Sequence, residues 1–210
     1  MNRCLFIAIV AGLAVASVAD VAAVPPPAVV KDQVVIGRAT AVAQKVPAFN
    51  NNMTVAEVLA AQATWGDALV AISLAYREGG IEAARNLANQ ALDSAYGYDL
   101  GPVLFKPTLA WGERTFRVNR QGALAYFVGH DPAYPDDSGF ALKDWASYRN
   151  DNAAIFIEGQ TATVMGQVHL TTSDGSVTTV DKTWQYRKDD KGRVRIVTHH
   201  SSIPYQPPGR

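Results

Sequence analysis

The sequence predicts an α+β fold in which helices come first and a long antiparallel meander of strands follows. Between Thr54 and about Ala95, apolar residues recur at helical spacing, with an interruption at Gly79-Gly80. From Trp145 onward the apolar period becomes two, which is typical of strands with one buried face. Ser173–Ser176 reads Ser-Asp-Gly-Ser, the composition of a tight hairpin turn. An α+β domain has this element order, in which helices are followed by a run of strands.

Three helices are expected. Thr54 and Glu57 have the spacing of a capping box, in which each side chain satisfies a free backbone N–H of the first turn. The first helix therefore begins after Thr54 and ends at the glycine pair, and a second runs from Ile81 to about Ala95. Asn119 is the predicted cap of a third helix over Arg120–Val128.

The predicted strands fall into an early pair and a later meander. Val103–Phe105 and Phe116–Val118 are short candidates on either side of a loop. The meander comprises a strand around Tyr148 and further strands at residues 153–158, 161–170, 177–187 and 194–201. Alternation along the fourth of these places Thr178, Val180, Lys182, Trp184 and Tyr186 on one face and Asp181 on the other.

The start of the chain has the form of a secretory signal peptide. Arg3 precedes an apolar run from Leu5 to Ala16, and small residues follow at positions suited to cleavage after residue 19 or residue 23. We therefore expect a periplasmic or secreted protein with an extended lead-in over residues 20–53, a domain over 54–203 and a tail over 204–210. The apolar run is shorter than the ~20 residues that span a bilayer, so no membrane association is expected after cleavage.

Composition excludes several classes of site. The only cysteine, Cys4, lies in the leader, so disulfides, thiolate nucleophiles and cysteine-ligated zinc are excluded from the mature chain. The 19 basic and 19 acidic side chains balance, which argues against a nucleic-acid partner and is compatible with self-association. We expect no cofactor and no metal, because the few histidines lack the tight spacing of a metal site.

Several segments resemble the nuclear-transport-factor-2-like (NTF2-like) superfamily, which includes SnoaL-like and ketosteroid-isomerase-like proteins. Val194–Ser202 resembles its final strand, and the segments at 105–107, 168–171 and 182–187 are closest to the association domain of calcium/calmodulin-dependent kinase II and its exported bacterial relatives. The resemblance covers about residues 60 to 203. It implies a cone-shaped fold, with N-terminal helices packed on a strongly bent antiparallel sheet. It also implies a homodimer or higher homo-oligomer that assembles through the outer sheet face.

The leading functional hypothesis is a binding protein that holds a small, partly apolar molecule in the cone, with catalysis not assured. His169 and Trp184 occupy the positions where the kinase hubs carry pocket arginines. Aromatic rings with polar tips are a usual lining of small-molecule sites. The predicted ligand-binding residues are His169, Trp184, Tyr186, Tyr98, Trp111 and Tyr148.

Two alternatives stay open at this stage. One is an isomerase, cyclase or dehydratase in which His199 or His200 acts as the base, because histidine titrates near neutral pH. Adjacent residues of a strand point to opposite faces, so only one of the pair can face the pocket. The other alternative is an oligomeric assembly module without a small-molecule site.

Overall fold

The computed structural model describes residues 51–209, so the predicted signal peptide and most of the predicted lead-in lie outside the described residues. Helix α1 spans Val55–Ala95 and begins with the predicted capping box, in which Thr54 and Glu57 bond reciprocally. Gly80 has φ 72° and ψ −165°, a conformation that is essentially restricted to glycine. It divides α1 into a first arm (residues 55–79) and a second arm (residues 81–95), which correspond to the two predicted helices.

Helix α2 spans Arg120–Val128 and is capped by Asn119 as predicted. Two short 3-10 helices lie at Gly112–Arg114 and Phe140–Leu142. The five strands are β1 Leu104–Lys106, β2 Trp145–Glu158, β3 Thr161–Thr172, β4 Val177–Lys188 and β5 Val194–Ser202.

The strands form one sheet in the order β1-β5-β4-β3-β2. Strands β2 to β5 pair antiparallel, as the meander predicts, but β1 pairs parallel with β5, so the sheet is mixed. The predicted strand at Phe116–Val118 is wrong, because this segment joins the sheet region through a single backbone bond from Arg117 to Phe105. The two strands predicted around Tyr148 and residues 153–158 are one strand with an irregularity between Asn152 and Ala154.

The core lies between α1, α2 and one face of the sheet, which we call the concave face. Along each strand, residues that point to this face alternate with residues that point to the opposite face, which we call the outer face. On β4, Val180, Lys182, Trp184 and Tyr186 are all buried there, which confirms the predicted alternation. The predicted α+β class, with N-terminal helices packed on the sheet, is confirmed.

Helix α1 also meets the length and hydropathy criteria for a membrane span. A core helix meets the same criteria. Within the described residues, α1 buries Trp65, Leu69, Ile72, Ala84, Ala88 and Leu92 in the protein core.

Candidate functional site

Strand β5 decides which member of the histidine pair faces the protein interior. His199 is buried on the concave face with 1% of its surface exposed, whereas His200 is exposed on the outer face. Ser201, two residues after His199, is buried on the concave face as well. Of the two predicted bases, only His199 therefore lies among groups that exclude water.

His199 is the middle of a buried hydrogen-bond chain formed by Trp65, Tyr96, His199 and Lys182. The indole Nε1 of Trp65 donates to the hydroxyl of Tyr96 at 3.0 Å. The Tyr96 hydroxyl lies 2.8 Å from Nδ1 of His199, and Nε2 of His199 lies 2.7 Å from Nζ of Lys182. The chain joins the first arm of α1, the end of its second arm, β5 and β4.

The donors in this chain can be ordered from the chemistry of its groups. An indole N–H only donates, so the Tyr96 oxygen accepts from Trp65 and its own hydrogen is free to bond Nδ1 of His199. His199 then carries its hydrogen on Nε2 and donates it to a neutral Lys182 amine. This arrangement gives each of the three bonds one hydrogen.

Burial supports the neutral forms of all three titratable groups. Desolvation lowers the pKa of His199 well below its ordinary value, and the neighbouring Lys182 and His200 lower it further. Desolvation also lowers the pKa of Lys182 well below its ordinary value and raises the pKa of Tyr96 well above its own. No carboxylate within residues 51–209 pairs with Lys182 to offset the loss of hydration.

Aromatic rings enclose this hydrogen-bond chain. Phe105 of β1 stacks on the His199 ring with centroids 4.6 Å apart and an angle of 13° between the planes. The parallel pairing of β1 with β5 produces this contact, because it places Phe105 opposite His199. Nζ of Lys182 lies 4.5 Å from the Trp65 ring centroid and 5.6 Å from that of Trp184. The shell keeps bulk water away and so maintains the low polarity that the shifted pKa values reflect.

A second polar group, the hydroxyl cluster, consists of Thr108, Tyr126 and Ser201. The hydroxyls of Thr108 and Ser201 lie 2.6 Å apart. The Tyr126 hydroxyl bonds Thr108 and accepts a backbone N–H from Leu109 at 3.4 Å. Burial raises the pKa of Tyr126, so its phenol stays protonated and can donate. Three hydroxyls that can both donate and accept are therefore concentrated in a water-poor environment.

The strand register brings the hydroxyl cluster beside the hydrogen-bond chain. Lys182 of β4 is the direct cross-strand partner of Ser201 of β5, and both side chains are buried. Directly opposed residues have Cβ atoms roughly 4.5–5.5 Å apart. Nζ of Lys106, which is partly buried, donates to the backbone oxygen of Ser201 at 3.1 Å and adds a cation at the edge of this region. Bases and hydroxyl donors thus share one end of the concave face, and the Lys106 cation lies at the β1 edge of the sheet beside them.

The structure brings only some of the predicted ligand-binding residues to this region. Trp184 and Tyr186 are fully buried on the concave face. Tyr98 stacks on Tyr96 with ring centroids 5.9 Å apart, so it lies next to the chain. Tyr148 lies further along the sheet, where its hydroxyl donates to Ala63 and Asp67 of α1.

The other two predicted residues lie elsewhere. Trp111 is 69% exposed next to a 3-10 helix. His169 projects from the outer face, where its ring nitrogens contact Asp151 and Thr179. The structure therefore does not bring His169 together with Trp184, because the β3 register assigns them to opposite faces.

Sequence reasoning missed the hydroxyl cluster and the chemical importance of Lys182. Ser201 had a usable signal, since it follows His199 by two residues on the same strand. Thr108 and Tyr126 had none, because they reach Ser201 only through tertiary packing. Within residues 51–209, no three His, Cys, Asp or Glu side chains form a group that could hold a metal ion.

Comparisons with known proteins match the part of the chain that contains this site. The family model described as "Metal-independent carbonic anhydrase" matches residues 56–203. A protein of that description from Nostoc sp. is 59% identical over 162 residues, which are 77% of this chain and 79% of the relative. The crystal structure of an iota-carbonic anhydrase from a cyanobacterium, complexed with bicarbonate, is 58% identical with a TM-score of 0.76. That match covers 78% of this chain and all of the other.

A putative calcium/calmodulin-dependent kinase II association domain from Xanthomonas campestris is a more distant neighbour. It is 22% identical with a TM-score of 0.46, over 72% of this chain and 88% of the other. The predicted resemblance to association domains is thus replaced by a more specific family.

Proposed function

The chain belongs to the metal-independent carbonic anhydrase family, and from this premise we propose that it catalyses the reversible hydration of carbon dioxide to bicarbonate. The observation that carries the proposal is the position of an uncharged base pair, Lys182 and His199, beside the hydroxyl cluster in an aromatic interior, where Lys182 and Ser201 are cross-strand partners. The bicarbonate in the related cyanobacterial structure supports the same substrate class.

This family overturns the leading hypothesis from the sequence. A binding protein with catalysis not assured is wrong, because the matching family and its 59% identical relative are enzymes by description. The isomerase, cyclase or dehydratase reading and the assembly-module reading fit this family no better. The error arose because the residues of the site come from six separated segments that no local motif connects.

Hydration requires two things of the protein. The water oxygen attacks the carbon of CO2, one C=O electron pair moves onto oxygen, and the water loses a proton. The neutral Lys182 amine accepts that proton once its 2.7 Å hydrogen bond with His199 opens and frees the nitrogen lone pair, as a general base must. The hydroxyls of Thr108, Tyr126 and Ser201 donate to the oxygens on which negative charge develops, and this stabilises the transition state.

The direct test is CO2–bicarbonate oxygen-18 exchange measured by mass spectrometry, with and without a metal chelator. We expect activity that the chelator does not reduce. Ser201→Ala should lower kcat/KM by roughly 10²-fold, the usual effect of removing one donor to a developing oxyanion. Ser202→Ala, its neighbour on the outer face of β5, is the matched control and should keep wild-type activity. Equal activity in both variants would remove the hydroxyl cluster from the mechanism.

The pH profile tests the base separately. Activity in the hydration direction should fall as pH decreases through the pKa of the Lys182–His199 pair, because protonation occupies the base. Burial lowers the pKa of Lys182 well below 10.5 and that of His199 well below 6.5, so the half-maximal rate should lie well below pH 10.5, the ordinary value for lysine. A half-maximal rate near pH 10.5 would argue against this base.

We also propose that the protein is exported and self-associates. The predicted leader supports a periplasmic or secreted location, and N-terminal sequencing of protein from fractionated cells tests it; an intact Met1 in the cytosolic fraction would contradict it.

Exposed Phe156 and Met165 on the sheet support a homo-oligomer through the outer face. Light scattering should report at least a dimer that Met165→Glu weakens, and a wild-type monomer at high concentration would refute it.

A further inference from the structure

A small cavity lies between the two arms of α1, on the far side of Trp65 and Tyr96 from the ring of His199. Its volume is about 40 Å³. Alanines on both arms leave the space open, and large side chains close its inner end. The lining residues from the first arm are Thr64, Trp65, Ala68, Leu69 and Ile72; those from the second arm and beyond are Ala88, Ala91, Leu92, Ser94, Ala95, Tyr96 and Phe127.

The few polar groups of this lining already have partners. The Thr64 hydroxyl donates to the backbone oxygen of Ala60, and the Ser94 hydroxyl donates to that of Gln90. Trp65 and Tyr96 bond each other, and Tyr96 also bonds His199. The cavity therefore offers hardly any free donor or acceptor to an occupant.

Such a cavity discriminates between the two forms of inorganic carbon. A buried water molecule needs a cavity volume of about 10–15 Å³ and two to four hydrogen-bond partners. The cavity is therefore large enough for water, but it lacks the free polar groups that would hold a water molecule. Bicarbonate would lose its hydration without compensation, which is costly for an ion. A linear, uncharged triatomic molecule fits the volume and needs no hydrogen bond.

We propose that this cavity binds CO2 and delivers it to the site that contains His199. The inference rests on the proposed carbonic anhydrase function and adds a substrate-binding site to it. Thr64 and Ser94 at one end are exposed, so the gas can enter from solvent, while Trp65 and Tyr96 at the other end belong to the hydrogen-bond chain. Motion of these two rings opens the passage to His199, and bicarbonate leaves by the polar side, next to Ser201.

The binding step is tested in crystals of the protein pressurised with xenon and, separately, with CO2. Xenon is an apolar probe of the right size class and binds dry cavities. Density for both gases is expected between Ala68 of the first arm and Ala91 of the second. Absence of both from the cavity overturns the proposal.

The delivery step is tested with Ala91→Leu, which places three more carbon atoms in the cavity, and with Ala68→Leu, which fills it from the other arm in case the first variant does not fold. Ala71→Leu, at an exposed α1 position outside the lining, is the matched control. The filling variants should lose xenon density and lower kcat/KM for CO2 roughly tenfold, or about 1.4 kcal/mol in barrier. The control should change neither.

Two further results have distinct meanings. A filling variant that loses xenon but keeps wild-type kcat/KM overturns the delivery role. A wild-type protein without any CO2 hydration refutes the proposed function, and the delivery inference with it, even where xenon density shows that the cavity takes up an apolar gas.

Discussion

Replacement of Lys182 by methionine, which has similar length and no charge, tests the central electrostatic claim. Two opposing effects act on the Lys182 ammonium. The rings of Trp65 and Trp184 lie 4.5 and 5.6 Å from Nζ and favour the charged form by about 0.5–2 kcal/mol. Loss of hydration costs several kcal/mol, and no carboxylate in the described residues offsets it. Desolvation therefore dominates, and the folded protein holds Lys182 neutral.

The sign of the resulting pH dependence follows from proton linkage. The pKa of Lys182 in the folded state lies well below 10.5, its value in the unfolded chain. Between these two values the unfolded chain binds one proton more than the folded protein. The free energy of unfolding therefore rises with pH across this window, by about 1.4 kcal/mol per pH unit from this one group. Lys182→Met removes that contribution, so the variant gains stability relative to wild type as pH falls.

Urea denaturation at several pH values between 7.5 and 9.5 measures the effect. This range lies above the ordinary pKa of histidine, so His199 contributes no slope. The variant also leaves Nε2 of His199 without its partner, at a cost of about 1–3 kcal/mol. That cost is constant over the range and shifts the curve without changing its slope. Lys143→Met replaces an exposed lysine and is the control; its free energy of unfolding should change with pH in the same way as that of wild type. The same pH dependence in Lys182→Met and wild type would refute the conclusion that the folded protein holds Lys182 neutral.

Three further substitutions test the framework of the site by thermal or chemical denaturation. Gly80→Ala should cost about 1–3 kcal/mol, because φ 72° with ψ −165° strains any residue with a Cβ; unchanged stability would mean that the kink adapts. Thr54→Ala should cost about 0.5–2 kcal/mol through loss of the α1 cap, and an effect near zero would make the capping box irrelevant. Asp137→Asn should cost about 3–5 kcal/mol, because it leaves the buried Arg117 without its counter-charge; a cost below 1 kcal/mol would show that water reaches this pair.

Local patterns carried the prediction of the elements. The capping box at Thr54, the glycine break at Gly80 and the turn at Ser173–Ser176 depend on residues within a few positions of one another, and all three occur in the structure. The period of two along β4 placed Lys182 and Trp184 on the buried face in the same way. Each of these features is governed by short-range geometry that a single segment specifies.

The predicted site was less complete because its parts are distant in sequence. Thr108 reaches Ser201 across 93 positions, and Tyr96 reaches His199 across 103. His169 was assigned to the pocket by resemblance, but the β3 register places it on the outer face. Hydrogen-bond partners at such separations have no signature in local periodicity.

Local residue patterns therefore predict the α+β class, the boundaries of most elements and the fact that only one of His199 and His200 faces inward. Tertiary structure decided which one, through the burial of alternate residues on β5 against α1. It also decided the charge of Lys182, since burial without a carboxylate partner is a property of the packed protein and not of the residue. The chemistry of this chain arises where the parallel β1–β5 edge, the middle of β4 and the two arms of α1 meet, and only folding brings them together.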